Sequence, residues 1–115
     1  MTYQVRVAAA ADEDIIRNAN WWAAHHSAEQ ADRWHAAIYA KIETLAEFPE
    51  SHALAFESPD YEYDLREALF GLGSRPGYRI LFTVVDDLVW VLGVRAVEQD
   101  ELRPGDLPSP PADRD

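Results

Sequence analysis

The spacing of the apolar residues changes twice along this chain, and these changes limit the folds that are open to it. Residues 2–7 (TYQVRV) alternate and are rich in β-formers, which predicts a strand. Apolar residues then recur at helical intervals up to the residues just before Pro49. Alternating runs return at DLREALF, GYRILFTVV and LVWVLGVRA. Two consecutive helices between strands do not form doubly wound repeats, so the pattern predicts the order β-α-α-β-β-β.

The helical part divides into two helices near His26. The first carries an apolar face at i, i+4 and i+7, formed by Ile15, Ala19 and Trp22. Ser27 is a good N-cap for the second helix, and Gln30 three residues later completes a capping box. The second helix carries a long apolar stripe: Ala31, Trp34, Ile38, Ile42 and Leu45. Because the break between the helices is short, we expect an antiparallel helical hairpin.

These elements predict an α+β fold in which the helical hairpin packs on one face of a small curved antiparallel sheet. The hairpin needs a partner for its apolar stripe, and the last three strands have short connections, including a tight turn at Asp86-Asp87. We expect the other sheet face to stay partly open. Residues 1–96 form the predicted domain, and residues 97–115 form an acidic, proline-rich tail, mostly disordered when free.

The charge of the chain excludes several classes of function. The net charge is −11, which opposes direct binding to free nucleic acid or to an anionic membrane. Residues 64–96 are neutral, so the acidity lies outside the predicted sheet. Cysteine is absent, and no apolar run reaches the ~18 residues that span a bilayer, so we expect a cytoplasmic protein. No motif predicts a cofactor, and adjacent His25 and His26 do not converge on a metal.

An arginine occurs in each of the last three alternating runs. In GYRILFTVV, alternation places Arg79 opposite the predicted core set of Tyr78, Ile80, Phe82 and Val84. In LVWVLGVRA, Arg95 lies opposite the predicted core set of Leu88, Trp90, Leu92 and Val94. The core face of DLREALF is ambiguous, and with Arg66 facing outwards all three arginines would share the open face.

Two interpretations of these arginines stay open. Guanidinium groups bind phosphate and carboxylate bidentately, so Arg66, Arg79 and Arg95 would form an anion site. Alternatively, each arginine pairs with a nearby acid, which is Glu67, Glu98 or an acid on the helices. Under the first interpretation, Ala at Arg79 or Arg95 leaves folding nearly intact, because surface ion pairs contribute only ~0–1 kcal/mol.

Several phrases, in their order and spacing, resemble the RelE/ParE family of type II toxin–antitoxin toxins, which includes plasmid stabilisation proteins. They are ADEDI, W...A..A.RW..AI...I..LAEFPE, LREALFG, YRILFTV and VWVLGVRA, and they cover the chain from Tyr3 to Ala96. The resemblance implies a growth-inhibiting toxin and a cognate antitoxin protein as partner. It also implies one of two targets, DNA gyrase or the ribosome, where relatives cleave mRNA.

For the ribosome-dependent branch, the resemblance implies that Arg66, Arg79 and Arg95 stabilise the charge developing on the cleaved phosphate. Three departures weaken that branch. Arg75 stands alone where relatives often carry a basic cluster, Ala96 follows Arg95 where relatives often have histidine, and Lys41 is the only lysine. These departures favour either gyrase inhibition or a toxin with weakened or altered activity over mRNA cleavage. A third alternative is an inactive relative that acts as a protein-binding module.

Overall fold

The computed structural model describes residues 2–71, 77–97 and 105–110, and its elements follow the predicted order. The helices and strands are β1 (Gln4–Val7), α1 (Ala9–His25), α2 (Ala28–Glu43), β2 (Arg66–Phe70), β3 (Tyr78–Val85) and β4 (Leu88–Ala96). Short 3-10 turns at Thr44–Ala46, Pro49–Ser51 and Ser58–Asp60 lie in the connection between α2 and β2. The α+β class and the order β-α-α-β-β-β are confirmed.

The four strands form one open sheet in the order β1-β4-β3-β2. Strands β2, β3 and β4 are antiparallel, as their short connections predict. Strand β1 pairs in parallel with β4, so the complete sheet is mixed. The predicted turn joins β3 to β4, with Asp86 in the left-handed region at φ 56°, a conformation that Asp tolerates better than most residues.

The helical hairpin covers one face of this sheet. The Ser27 side chain accepts a hydrogen bond from the Gln30 backbone N–H at 3.0 Å, which caps α2 as predicted. The α2 stripe, including Trp34 and Ile38, packs with Ile80 and Phe82 in the main apolar cluster. Among the helices in the described ranges, none combines the length and apolar character that a bilayer crossing requires.

The orientation of β4 differs from the alternation predicted for it. Val89 and Val91 lie in the helix-side cluster, whereas Trp90 and Leu92 lie with the cluster on the other face. The register shifts beside Leu81, which pairs with Gly93, and the next pair is Phe82 with Val91. Leu92 is therefore an extra residue on β4, and a β-bulge reverses the alternation after it. The prediction of Leu88, Trp90, Leu92 and Val94 as one helix-side set is wrong, and of these Val94 lies in the helix-side cluster.

The sheet face opposite the helices is covered instead of open. A second apolar cluster lies there, formed by Ala55, Leu65, Leu81, Leu92 and Leu107. Residues 53–55 run along the edge of β2, where the Ala55 N–H donates to the Leu65 carbonyl at 2.7 Å. Leu107 is buried in this cluster, so the predicted tail contacts the sheet at this residue instead of being free there. The rest of the predicted tail, apart from Val97, lies outside the described residues, and the domain boundary after residue 96 stays a prediction.

Candidate functional site

Strands β3 and β4 place two of the predicted arginines side by side. Arg79 and Arg95 are directly opposed partners across the β3–β4 ladder, so their side chains leave the same face of the sheet. That face carries Leu81 and the second cluster, away from the helices, as predicted for both arginines. Two like charges at directly opposed positions destabilise a sheet unless acidic groups lie beside them. The surroundings of Arg79 supply such groups.

The guanidinium of Arg79 is held by two carboxylates. Its two Nη atoms donate to the two oxygens of Glu57, at 2.6 and 3.0 Å, in a bidentate pair. Its Nε donates to Glu67 Oε1 at 2.9 Å. The Glu57 side chain is 2% exposed and that of Arg79 is 15% exposed, so this pair is largely removed from water. Every nitrogen of the Arg79 guanidinium therefore already binds an anion from the same chain.

This arrangement keeps Arg79 charged. Its hydrogen bonds to Glu57 raise the pKa of Arg79 above its ordinary value, burial acts in the opposite direction, and the charges of Glu57 and Glu67 raise it further. A permanently charged arginine between two carboxylates is a stable ion-pair network. A further anion would meet only the two remaining N–H donors of this largely buried group, beside two carboxylates that repel it.

Arg66 lies on the opposite face of the sheet. It pairs with Phe82 across the β2–β3 ladder, which places it on the helix side, at the edge of the sheet. Its Nη1 donates to the carbonyl of His52 at 2.7 Å and to that of Glu50 at 3.3 Å. Burial of His52, together with the charges of Lys41 and Arg66, lowers the pKa of the His52 imidazole. Arg66 thus ties the loop before β2 to the sheet.

The structure therefore brings together two of the three predicted site residues. The prediction that all three arginines share one open face is wrong, because Arg66 faces the helix side and the other face is covered. Tyr78 faces the core, as alternation predicts, and its hydroxyl accepts a hydrogen bond from Trp22 Nε1 at 3.1 Å. A functional role for Arg66, Arg79 and Arg95 stays a prediction. Arg75 and Glu98 lie outside the described residues.

Two further observations bear on ligand chemistry. Within residues 2–71, 77–97 and 105–110, no group of three or more His, Cys, Asp or Glu side chains is close enough together to hold a metal ion. A groove lined by Trp21, Trp22, His26 and Tyr78 lies beside the end of α1. Trp21 is 46% exposed there, which agrees with the position that Trp21 takes off the apolar stripe of α1.

The family model described as "ParE toxin of type II toxin-antitoxin system, parDE" matches residues 5–101. The chain belongs to the ParE toxin family. This membership confirms the resemblance drawn from the sequence phrases.

The ParE fold is also found in a solved structure described as the chromosomal ParDE TA system from P. aeruginosa. The two chains superpose with a TM-score of 0.67, covering 84% of this chain and 98% of that chain. Their sequences are 14% identical, so this likeness shows the fold alone. No curated protein matches the chain.

Glu57 is the residue of this ParE family member that sequence reasoning missed. It lies in residues 49–64, a stretch with two prolines and little periodicity, which is typical of a loop and predicts no buried partner for the sheet. Sequence reasoning considered acids for Arg79 on its own sheet, such as Glu67, or on the helices. The available signal was Arg79 itself, because an arginine on a strand that becomes covered needs an acidic partner from the covering segment.

Proposed function

We propose that this ParE family member inhibits growth as the toxin of a toxin–antitoxin pair, that a cognate antitoxin neutralises it, and that DNA gyrase is its target. Family membership supports the first part of this proposal. The choice of target rests on one observation, the occupation of Arg79 by Glu57 and Glu67.

An mRNA-cleaving toxin needs cations that meet the phosphate where charge develops. In this chain all three nitrogens of the Arg79 guanidinium donate hydrogen bonds to Glu57 and Glu67 of the same chain. The Nη1 of Arg66 donates to two backbone carbonyls at the other face of the sheet. These contacts argue against a phosphate site built from the three arginines, and so against the ribosome-dependent alternative.

The charge of the whole chain supports the same choice. A net charge of −11 repels the phosphates of ribosomal RNA, and the repulsion grows as the protein approaches. A protein target such as gyrase can present basic surface patches to an acidic partner. The acidic surface therefore favours a protein target over an RNA target.

The test compares the two targets with the same purified protein. We expect it to inhibit supercoiling of relaxed plasmid by purified gyrase and to leave mRNA intact in a purified translation system. Addition of the protein encoded by the neighbouring gene should relieve the inhibition of gyrase. Codon-linked cuts that need translating ribosomes would overturn the gyrase assignment and favour the mRNA-cleaving alternative.

Growth assays separate a toxin from an inactive relative. We expect expression of the chain alone to slow growth, and co-expression of the neighbouring gene to restore it. Normal growth at high soluble expression would contradict the proposal and favour a protein-binding module without toxicity.

A further inference from the structure

The segment that covers the sheet also forms an open groove on its outer side, lined by both apolar and polar residues. The groove has a volume of about 640 Å³ and is lined by residues from Leu54 to Asp64, including Pro59 and Tyr61. Phe56 is 79% exposed and Leu54 is 50% exposed, although both are large apolar residues. Exposed apolar side chains gathered in a concave surface are typical of an interaction site.

Within residues 54–64, every charged side chain at the rim of this groove is acidic. Glu62 and Asp64 line it, and Asp60 lies beside it, all three exposed. None of the ion pairs in the described part of the chain uses these three carboxylates. No lysine or arginine occurs in residues 42–65, which contain seven carboxylic acids, so no basic residue of that stretch can neutralise the rim.

The groove is a preformed surface. The Ser58 hydroxyl accepts a hydrogen bond from the Leu65 N–H at 3.0 Å, and the Tyr61 N–H donates to the Ser58 carbonyl at 3.0 Å. The Tyr63 hydroxyl donates to the Pro108 carbonyl at 3.3 Å, which joins the groove wall to residues 105–110. A surface that is already ordered loses little entropy when a partner binds.

The buried ion pair explains why Phe56 projects outwards. Arg79 holds the neighbouring Glu57 against the sheet, with 3% of that residue exposed. Ala55, on the other side, is buried in the second cluster. With both neighbours fixed inwards, the chain presents the Phe56 ring to the outside.

We propose that this groove docks a polypeptide segment of a partner protein that carries net positive charge and at least one large apolar side chain. The apolar side chain packs against Leu54 and Phe56, and the basic side chains pair with Glu62, Asp64 and Asp60. This inference is independent of the cellular target of the toxin.

A second copy of this chain does not fit the groove. Each copy carries a net charge of −11, and the groove has an acidic rim on every copy, so two copies repel each other at this surface. A small polycation would satisfy the carboxylates but would leave the apolar side chains exposed. The combination of exposed apolar side chains and acidic groups selects a partner with both an apolar and a basic side chain.

The test uses a short synthetic peptide of Lys, Leu and one Phe, with an analogue that has Glu in place of every Lys. We expect the basic peptide to shift the amide resonances of residues 54–64 of the isotope-labelled protein, and the acidic analogue to leave them unchanged. Phe56→Ala should weaken binding by about tenfold or more, which corresponds to ~1.4 kcal/mol for an apolar anchor.

Matched controls separate this groove from general charge attraction. Phe48→Ala removes an equally exposed phenylalanine, 77% exposed, that does not line the groove, and should change affinity by less than about twofold. The triple variant Asp60→Asn, Glu62→Gln, Asp64→Asn should weaken binding more than Glu13→Gln, Glu29→Gln, Asp32→Asn, which changes the net charge equally on the helices. Circular dichroism checks that each variant is folded.

Several results would overturn the proposal. Equal binding by spermine, without an apolar group, would make the rim only a counter-ion site. Shifts centred on the groove at Trp21, or spread over the surface, would place the docking site elsewhere. Concentration-dependent dimerisation that Phe56→Ala abolishes would assign the groove to a second copy. Equal losses in the two triple variants would reduce the effect to net charge.

Discussion

At the scale of single residues, the arginine between two carboxylates has a larger structural role than a surface ion pair. Exposed pairs contribute ~0–1 kcal/mol, whereas removal of one partner from a buried pair costs ~3–5 kcal/mol because a charge is left uncompensated. The Glu57 side chain is 2% exposed, so the second case applies to it. The expectation that folding is nearly intact after loss of Arg79 must therefore be revised.

We predict that Arg79→Ala lowers the free energy of unfolding by about 3 kcal/mol, because Glu57 then has no bidentate partner. Urea denaturation followed by circular dichroism measures the change. Arg17→Ala is the control, since Arg17 pairs with Asp14 at a position that is 67% exposed and should cost less than about 1 kcal/mol. The double variant Arg79→Met, Glu57→Leu should recover part of the loss. Equal small losses at both arginines would contradict a buried pair.

The lowered pKa of His52 gives this residue's contribution to stability a pH dependence of definite sign. Burial and the charges of Lys41 and Arg66 lower the pKa of His52 below the value of 6.5 in the unfolded chain. The unfolded chain therefore binds more protons just below pH 6.5, so this residue makes stability fall as the pH falls. We predict that the free energy of unfolding falls less for His52→Gln than for the wild type between about pH 7 and pH 5, the range in which histidine titrates. Urea denaturation at several pH values measures this, and parallel curves for the two proteins would contradict it.

At the scale of elements, the parts with strong periodicity were predictable and the irregular parts were not. The α2 stripe, the cap at Ser27 and the alternation of β3 follow from local rules and are confirmed. The alternation predicted for β4 was wrong because a bulge adds Leu92 to the strand. The bulge is defined by the pairing of β4 with β3, which the sequence of a single strand does not reveal. The prediction of an open second face was wrong because residues 53–65, which cover it, have no periodicity that would indicate burial. They nevertheless supply Ala55, Glu57 and Leu65 to the interior.

The cap of α2 provides a direct test of the predictable part. Ser27→Ala removes the acceptor of the Gln30 N–H, so we predict a loss of about 1 kcal/mol in unfolding free energy. Ser27→Asp should retain most of the stability, because its carboxylate can accept the same hydrogen bond and also suits the positive end of the helix. Urea denaturation measures both variants. Equal losses for Ala and Asp would show that the hydroxyl contributes through something other than capping.

The bulge in β4 provides a test of the part that was not predictable. A Cβ at Gly93 would lie 2.7 Å from the Leu107 side chain, so Gly93→Ala must displace Leu107 or the strand. We predict a loss of about 1–3 kcal/mol, the usual range for overpacking, with faster amide exchange in residues 105–110. Leu107→Ala relieves the clash, so its addition to Gly93→Ala should cost less than Leu107→Ala costs alone. Additive losses would show that the two residues do not interact.

At the scale of the whole molecule, the distribution of charge governs stability as well as choice of partner. The chain has 21 acidic and 10 basic residues, and its extents are 40 × 31 × 27 Å. The Debye length is ~30 Å at 0.01 M salt and ~10 Å at 0.1 M, so at low salt each carboxylate is repelled by most of the others. Compaction brings these charges together, and repulsion therefore opposes folding.

We predict that the melting temperature rises by about 4 °C between 0.01 and 0.15 M KCl, which corresponds to ~1 kcal/mol for a domain near this size. The physical reason is that screening weakens the repulsion among the excess carboxylates, while the Arg79–Glu57 pair is too buried to be screened strongly. Scanning calorimetry measures the change. The helix variant Glu13→Gln, Glu29→Gln, Asp32→Asn has a smaller net charge and should respond less to salt. A melting temperature that falls with salt in the wild type would show instead that attractive surface pairs outweigh the repulsion.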